Sequence, residues 1–479
     1  MKRRLRALLV VIVASGVFLA AQGTVPDVTY VPFSDAESIL KALSEILPQE
    51  LKDPPDKVQS RWPAWVAQRD SEIRARLAQG EEDTIVNFLL FGTSFTRQPR
   101  VSAGRWQELR NGEQARSRNP HALSEIFATR LRDLVLAAAK PGQSERLRFV
   151  RSVFTRKGYD LSSAAGHRQA EQYLKSSLSR VLNESASYTE ILRSARSLGD
   201  PSEEFIRRST LFHDRGLSLD TSWKVNFALE DSLVEMKTRG LLAANSVHRV
   251  GVIGPGLDFT DKQEGYDFYP QQTIQPFAVF DTLLRLGLAR EDTLTITTLD
   301  ISRRVSEHLK LARARARTGK GYVVQLPLDP GVNWTRDTLD YWQRLGDQVG
   351  TRAVPASVPN SLAGVKVRAV RIRPAIVERT TPADIDIILQ RLDLALEQRF
   401  DLLVATNIFV YYDTFEQSLA LTNVGAMLKP GGFLLSNNVL LELPGSPVRS
   451  AGHKTTAYSD RSTDGDHIVW YQCPRKEPR

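Results

Sequence analysis

The feature that most constrains this chain is a change of hydrophobic period at Asn245. From that point short β-branched runs alternate with helical stretches. Val247 to Ile253 runs into Gly254-Pro255-Gly256, and Leu294 to Leu299 ends in Asp300. Val365 to Ile372, Phe400 to Ala405 and Gly432 to Ser436 follow, and the stretches near 271–287, 302–317, 382–398 and 414–428 carry helical spacing. Parallel strands need a crossover of a dozen or more residues, and a helix supplies it while covering a face of the sheet. The pattern therefore predicts an α/β fold with a Rossmann-like, mainly parallel sheet. Two more candidate strands, near 453–459 and 467–473, flank Asp464-Gly465 and predict an antiparallel C-terminal hairpin, seven strands in all. Residues 321–362 break the alternation with a strand-like Tyr322 to Leu326 and a helix from Arg336 to Leu345, and read as an insertion.

Residues 24–240 read as a mostly α-helical domain, and 241–479 as the α/β domain. Ser34-Asp35-Ala36-Glu37 is a capping-box pattern, followed by Ile39, Leu40, Leu43, Ile46 and Leu47 at helical spacing. Similar stripes run from Trp65 to Leu77, Ile85 to Leu90 and Leu123 to Ala139, then over 143–156, 166–197, 203–214 and 222–239. Trp62, Trp65, Phe88 and Phe91 are expected in the core of this half, which carries no catalytic motif.

Lys2, Arg3, Arg4 and Arg6 precede an uncharged apolar run from Ala7 to Ala21. Fifteen helical residues rise only about 22 Å, short of the roughly 30 Å hydrocarbon core. Residues 1–23 therefore read as a secretory signal peptide, or else as an anchor through residues 7–21, so the rest of the chain is expected to be exported, periplasmic or secreted, or held at a membrane. The net charge of +9 is dispersed along the chain, and no nucleic-acid partner is expected. Cys473 is the single cysteine, which excludes a disulfide framework. The seven histidines show no ligand spacing; each is expected at the surface or at a cap, and no metal is expected.

Ligands of open α/β sheets bind beyond the carboxyl ends of the strands, so the residues at those ends are the candidates. Gly254 and Gly256 allow a tight turn and a close approach of ligand to backbone, or simply a structural turn. Asp300 closes the second strand, where a carboxylate accepts ribose hydroxyls or caps the next helix. The run Phe400-Asp401-Leu402-Leu403-Val404-Ala405-Thr406-Asn407-Ile408-Phe409-Val410-Tyr411-Tyr412-Asp413 is a buried strand ending in polar Asn407, and its helix runs into Leu428-Lys429-Pro430-Gly431-Gly432.

These last two segments resemble the fourth-strand and fifth-strand motifs of class I S-adenosylmethionine-dependent methyltransferases, nearest to the chemotaxis-receptor methyltransferases. The resemblance implies S-adenosylmethionine as cofactor, with Gly254 and Gly256 against its methionine and ribose portion, Asp300 on the ribose hydroxyls and Asn407 near the methyl sulfonium. It implies an in-line methyl transfer to an acceptor that no residue pattern names. The chain departs from the family at Val252, where an acidic residue is usual, at Asp258, where a small one is, and in the charged stretch Phe259 to Tyr269. A nicotinamide-binding Rossmann fingerprint needs a third glycine where Phe259 stands. The second functional expectation is an exported, non-catalytic binding or scaffold protein that keeps this fold, since S-adenosylmethionine is made in the cytoplasm.

Overall fold

The structure is a computed structural model that describes residues 26–101, 120–197, 212, 213, 215–259, 265–460 and 464–475. The N-terminal segment 1–23 and most of the expected helix 203–214 lie outside these residues. In chain order the elements are β1 (Val28–Tyr30), α1 (Phe33–Ala42), α2 (Pro55–Phe91), α3 (Pro120–Ala139), α4 (Glu145–Arg156), α5 (Ala164–Ser197) and α6 (Val225–Thr238). They continue with β2 (Arg249–Ile253), α7 (Gln275–Arg285), β3 (Thr295–Asp300), α8 (Arg303–Ala316), β4 (Tyr322–Leu328), α9 (Arg336–Arg344), β5 (Gly350–Ala353) and β6 (Lys366–Ile372). The last are α10 (Pro374–Glu378), β7 (Thr380–Asp384), β8 (Gln390–Leu392), β9 (Phe400–Ala405), α11 (Thr414–Met427), β10 (Leu428–Ser436), β11 (Arg449–Ala457) and β12 (Gly465–Gln472).

Seven strands form one sheet in the order β11-β12-β10-β9-β2-β3-β7. Strands β7, β3, β2, β9 and β10 run parallel, and β12 is antiparallel to both of its neighbours, which makes β11–β12 the antiparallel terminal hairpin. Because the first strand, β2, lies between β3 and β9, strand order reverses there. Side chains alternate between two buried faces, as a covered parallel sheet requires. Val250, Val252, Leu402 and Val404 pack with α6, α7 and the insertion. Ile253, Leu403, Ala405 and Leu434 face α1, the first half of α2, and α11.

Two expectations about strands are corrected. Val365 to Ile372 is not a strand of the main sheet: β6 pairs antiparallel with β4 and β5 in a separate three-stranded sheet. The expected helix 382–398 does not form either. Its first residues make β7, and β8 pairs with β1 across the two halves of the chain. The cause is tertiary. Ile385, Ile387, Ile388, Leu389 and Leu392 all bury against α1 and α11 in one core, and a short run of closely spaced apolar residues does not distinguish strand from helix by period. Pro382 is tolerated because β7 is an edge strand, paired on one side only.

The helical half also differs from its sequence pattern. The stripes Trp65–Leu77 and Ile85–Leu90 belong to a single helix of 37 residues, α2. The second half of α2 forms a bundle core with α3, α4 and α5 through Phe88, Leu134, Phe154 and Leu174. Its first half crosses the carboxyl edge of the main sheet, where Trp62 and Trp65 stack at 5.1 Å in the shared core. The Ser34 capping box does not form. α1 starts at Phe33 after Pro32, without a side-chain cap, and Asp35 instead pairs with Arg391 at 2.7 Å. Among the described residues no helix is long and apolar enough to cross a membrane.

A capping box does form at α11. Asp413 accepts the Glu416 amide at 2.8 Å, and the Glu416 side chain accepts the Asp413 amide at 3.0 Å. Losing such a cap costs about 1 kcal/mol. Asp413→Ala is therefore expected to lower the unfolding free energy from urea denaturation by that amount while Asp413→Asn largely preserves it; equal losses in the two variants count against the cap.

Candidate functional site

The sheet places its candidate site where strand order reverses, at the carboxyl ends of β2, β3 and β9. Gly254 has φ +59° and Gly256 φ +70°, a region that strains L side chains, so the turn after β2 is a glycine requirement in fact. Asp300, at the end of β3, is 4% exposed. One of its oxygens accepts the Ser302 amide at 2.7 Å, and the Gly256 amide also stabilises its charge. Burial, partly offset by those two amides and reinforced by Asp384, pushes its carboxyl up to about 7. Asp300 thus joins the glycine turn rather than serving only the helix behind it.

Gly254, Gly256 and Asp300 line one cavity, together with Ile301, Asp386, Ile387, Ile408, Tyr411 and Tyr412. Asp386 is a site residue that the sequence pattern does not reveal. It lies just past β7, in the segment whose spacing predicts a helix, and is 1% exposed. One oxygen accepts the Ile388 amide at 3.0 Å while the other has no hydrogen-bond partner among the described residues. Burial pushes its carboxyl up to about 8. The Tyr412 phenol lines the same cavity, held well above its usual pKa by burial and by Asp386. The one signal for Asp386 is an acid two residues after a strand end, and that strand is not evident from the sequence.

Asn407 is not brought to this cavity. It has φ +59°, is exposed beyond the end of β9, and exchanges hydrogen bonds with Asn437 at 2.7 and 2.9 Å. The buried position beside it is Thr406, whose hydroxyl accepts Gln275 at 2.8 Å. Of the departures from the family pattern, Val252 is fully buried in the core. Asp258 accepts hydrogen bonds from Tyr269 and Gln272, which fold the following loop inward. Residues 260–264 of that loop lie outside the described residues.

The cavity is small, about 60 Å³, and the helical half covers one side of it. Leu77 of α2 and the segment Leu217-Ser218-Leu219 form its roof. α2 is pinned across the sheet edge by charged pairs, Arg69 to Glu416 at 2.8 Å and Arg74 to Asp384 at 2.7 Å.

His308 departs from the surface expectation, and His213 sits beside the α11 cap. His308 packs inward against Tyr322, whose hydroxyl lies 2.8 Å from its Nε2, and burial lowers its pKa to about 4, so it is neutral at physiological pH. His213 Nε2 lies 3.8 Å from both Asp413 Oδ2 and Glu416 Oε2, a grouping with the donor types of a metal site. The Arg69 guanidinium already supplies positive charge to Glu416 there, which opposes a second cation.

No protein-family model and no curated protein sequence matches the chain. Among solved structures it is similar to the N-methyltransferase NodS from Bradyrhizobium japonicum, at 11% identity over 52% of this chain and 95% of that one, with a TM-score of 0.25. It is also similar to magnesium protoporphyrin IX methyltransferase from Synechocystis, solved with S-adenosylmethionine bound, at 11% identity over 53% and 81% of the two chains and a TM-score of 0.25. A methyltransferase from Methanosarcina mazei matches at 13% identity over 50% and 98%, with a TM-score of 0.23. At these TM-scores the fold assignment rests on this chain's own strand order, a mainly parallel seven-stranded α/β sheet with an antiparallel terminal hairpin.

Proposed function

We propose that the α/β half is a methyltransferase-type domain that binds S-adenosylmethionine at the reversal point of its sheet and acts on an acceptor still to be identified. The observation that carries this reading is that Gly254, Gly256 and Asp300, which come from two different strand ends, line a single cavity there. The donor set suits a nucleoside. Asp300 keeps lone pairs for ribose hydroxyls beside its two amide donors. The unpartnered oxygen of Asp386 and the Tyr412 phenol offer polar partners to a base, between the apolar flanks of Ile301 and Ile387. When bound, the cofactor supplies an electrophilic methyl group on sulfonium. The chain's part is to orient it and exclude water. Asn407 has no role in this cavity unless the β9 turn rearranges.

The space does not suit the whole cofactor in this closed form, because ligand sites of this size class occupy roughly 300–1,000 Å³. That closure favours the second reading, an exported or membrane-anchored scaffold that keeps the fold without its chemistry. Calorimetric titration with S-adenosylmethionine and S-adenosylhomocysteine separates the two. The first reading expects saturable binding, weakened about tenfold by Asp300→Ala, the loss of one charge-assisted hydrogen bond. Folded protein that binds neither compound would refute it. Export belongs to this proposal as well: a reporter fused after residue 479 is expected outside the cytoplasm, and cytoplasmic reporter activity would remove the main support for the scaffold.

A further inference from the structure

The open side of the glycine turn, where a cofactor would approach, is covered by the chain itself. Leu219 O accepts the Leu257 amide at 2.8 Å, directly over the turn. A Cβ on Gly256 would lie 2.7 Å from that same Leu219 oxygen and 2.9 Å from Thr221 Cβ. The room that Gly256 leaves is therefore filled by backbone from the helical half. Leu217, 4% exposed, and Leu219 complete the roof over Asp300 and Asp386.

This covering segment is held differently at its ends and in its middle. At one end the Arg76 guanidinium donates to the carbonyls of Phe212, His213 and Arg215, and Gly216 packs against Gly80 of α2. At the other, Trp223 is buried and donates to Pro327 O at 2.9 Å. Between them the Leu217 amide donates to Arg76 O at 3.2 Å, the Thr84 hydroxyl donates to Asp220 at 3.4 Å and Leu219 packs against Leu257, Val305 and Leu309, while the glycine turn itself is reached through the Leu257 amide. Leu77, Leu219 and Ile301 also form the partition between the small cavity and a wide cleft of about 1010 Å³, lined on its far side by Arg74, Arg303 and Arg304.

We propose that residues 215–221 are an occluding strap that must swing off the glycine turn before the cofactor enters, so that the helical half controls access to the sheet's site. This rests on the methyltransferase reading above. Ligand and strap compete for the same place, because the Leu219 carbonyl occupies the approach to Gly256, and a bound nucleoside would supply a partner to the Asp386 oxygen that has none among the described residues. The measured affinity is then the intrinsic one reduced by the fraction of molecules with the strap open.

Two measurements on the whole chain test it. In native-state hydrogen exchange the Leu257 amide should exchange at least about a hundredfold faster than those of Val252 and Ile253 in the central strand, because strap opening is local and strand opening is not. Calorimetry with S-adenosylhomocysteine should show Leu219→Ala binding at least about tenfold more tightly than the unaltered chain. A Leu257 amide as slow as the β2 amides overturns the strap and leaves the methyltransferase reading intact, as does equal affinity in the two proteins. Fast exchange with no binding by either protein overturns the methyltransferase reading and, with it, the strap's role as a gate.

Discussion

Gly80→Ala destabilises the protein by about 3 kcal/mol, the upper part of the range for overpacked sites. The sign is the informative part of this expected result. Gly80 lies inside the long helix α2, and helix propensity alone gives alanine an advantage of about 1 kcal/mol there. Packing says the reverse. An added Cβ would lie 1.8 Å from Leu217 O, 2.5 Å from its carbonyl carbon and 3.1 Å from its nitrogen. All three are backbone atoms, so no side-chain rotation relieves the clash, and either the strap lifts or the helix bends. Denaturant midpoints at constant m-value measure the loss. A gain in stability would show that the Gly80–Gly216 contact does not hold the strap. If the strap is what yields, the variant also gains affinity for S-adenosylhomocysteine, whereas a bent helix gives no such gain.

The second large effect is a dependence of stability on pH that originates in the cavity. Asp300 and Asp386 have folded pKa values raised to about 7 and about 8, from an unfolded value near 3.8. The folded chain thus holds protons that the unfolded chain has released. Stability from this source is fully present below about pH 4 and is lost as pH rises through the folded values, the opposite of a salt-bridged carboxylate. A tenfold difference in proton affinity between the folded and unfolded chains is worth about 1.4 kcal/mol, so Asp300 alone contributes on the order of 4 kcal/mol between pH 4 and pH 8. Comparison with Asp300→Asn and Asp386→Asn cancels titrations elsewhere in the chain. Relative to the unaltered protein, Asp300→Asn should gain stability from pH 5 until it levels off near pH 7, and Asp386→Asn until near pH 8, in urea denaturation. Parallel profiles would mean that these carboxyls are ionised and partnered in the folded state. A bound nucleoside should flatten the profile, because it adds partners for both groups.

The legibility of the sequence tracks the range of the forces involved. β9 is legible to the residue and α11 nearly so, because each combines a local period with a local punctuation signal, polar residues after Ala405 and the Asp413 cap. Gly254, Gly256 and Asp300 are legible for the same reason: each stands at a strand end that its own neighbours define. The failures at β7, β8 and Asp386 involve partners far away in the chain. The segment joining β7 to β8 carries the spacing of a helix because Ile385, Ile387, Ile388, Leu389 and Leu392 bury in one core with α1 and α11. Asp386 is hidden by the same ambiguity. β6 looks like any other buried strand, and its pairing with β4 and β5 cannot be read from its residues.

By itself, the sequence determined that residues after Asn245 form a mainly parallel α/β sheet with a glycine turn and an acid at neighbouring strand ends. Those features follow from period, glycine conformation and strand chemistry, which act over a few residues. Only the tertiary structure decided that Asp386 joins Asp300 in one cavity and that Asn407 turns away from it. It alone decided that the room at Gly256 is taken by the Leu219 carbonyl from the helical half. Glycine in a sequence shows that something must come close to the backbone. What comes close depends on contacts between segments far apart in the chain.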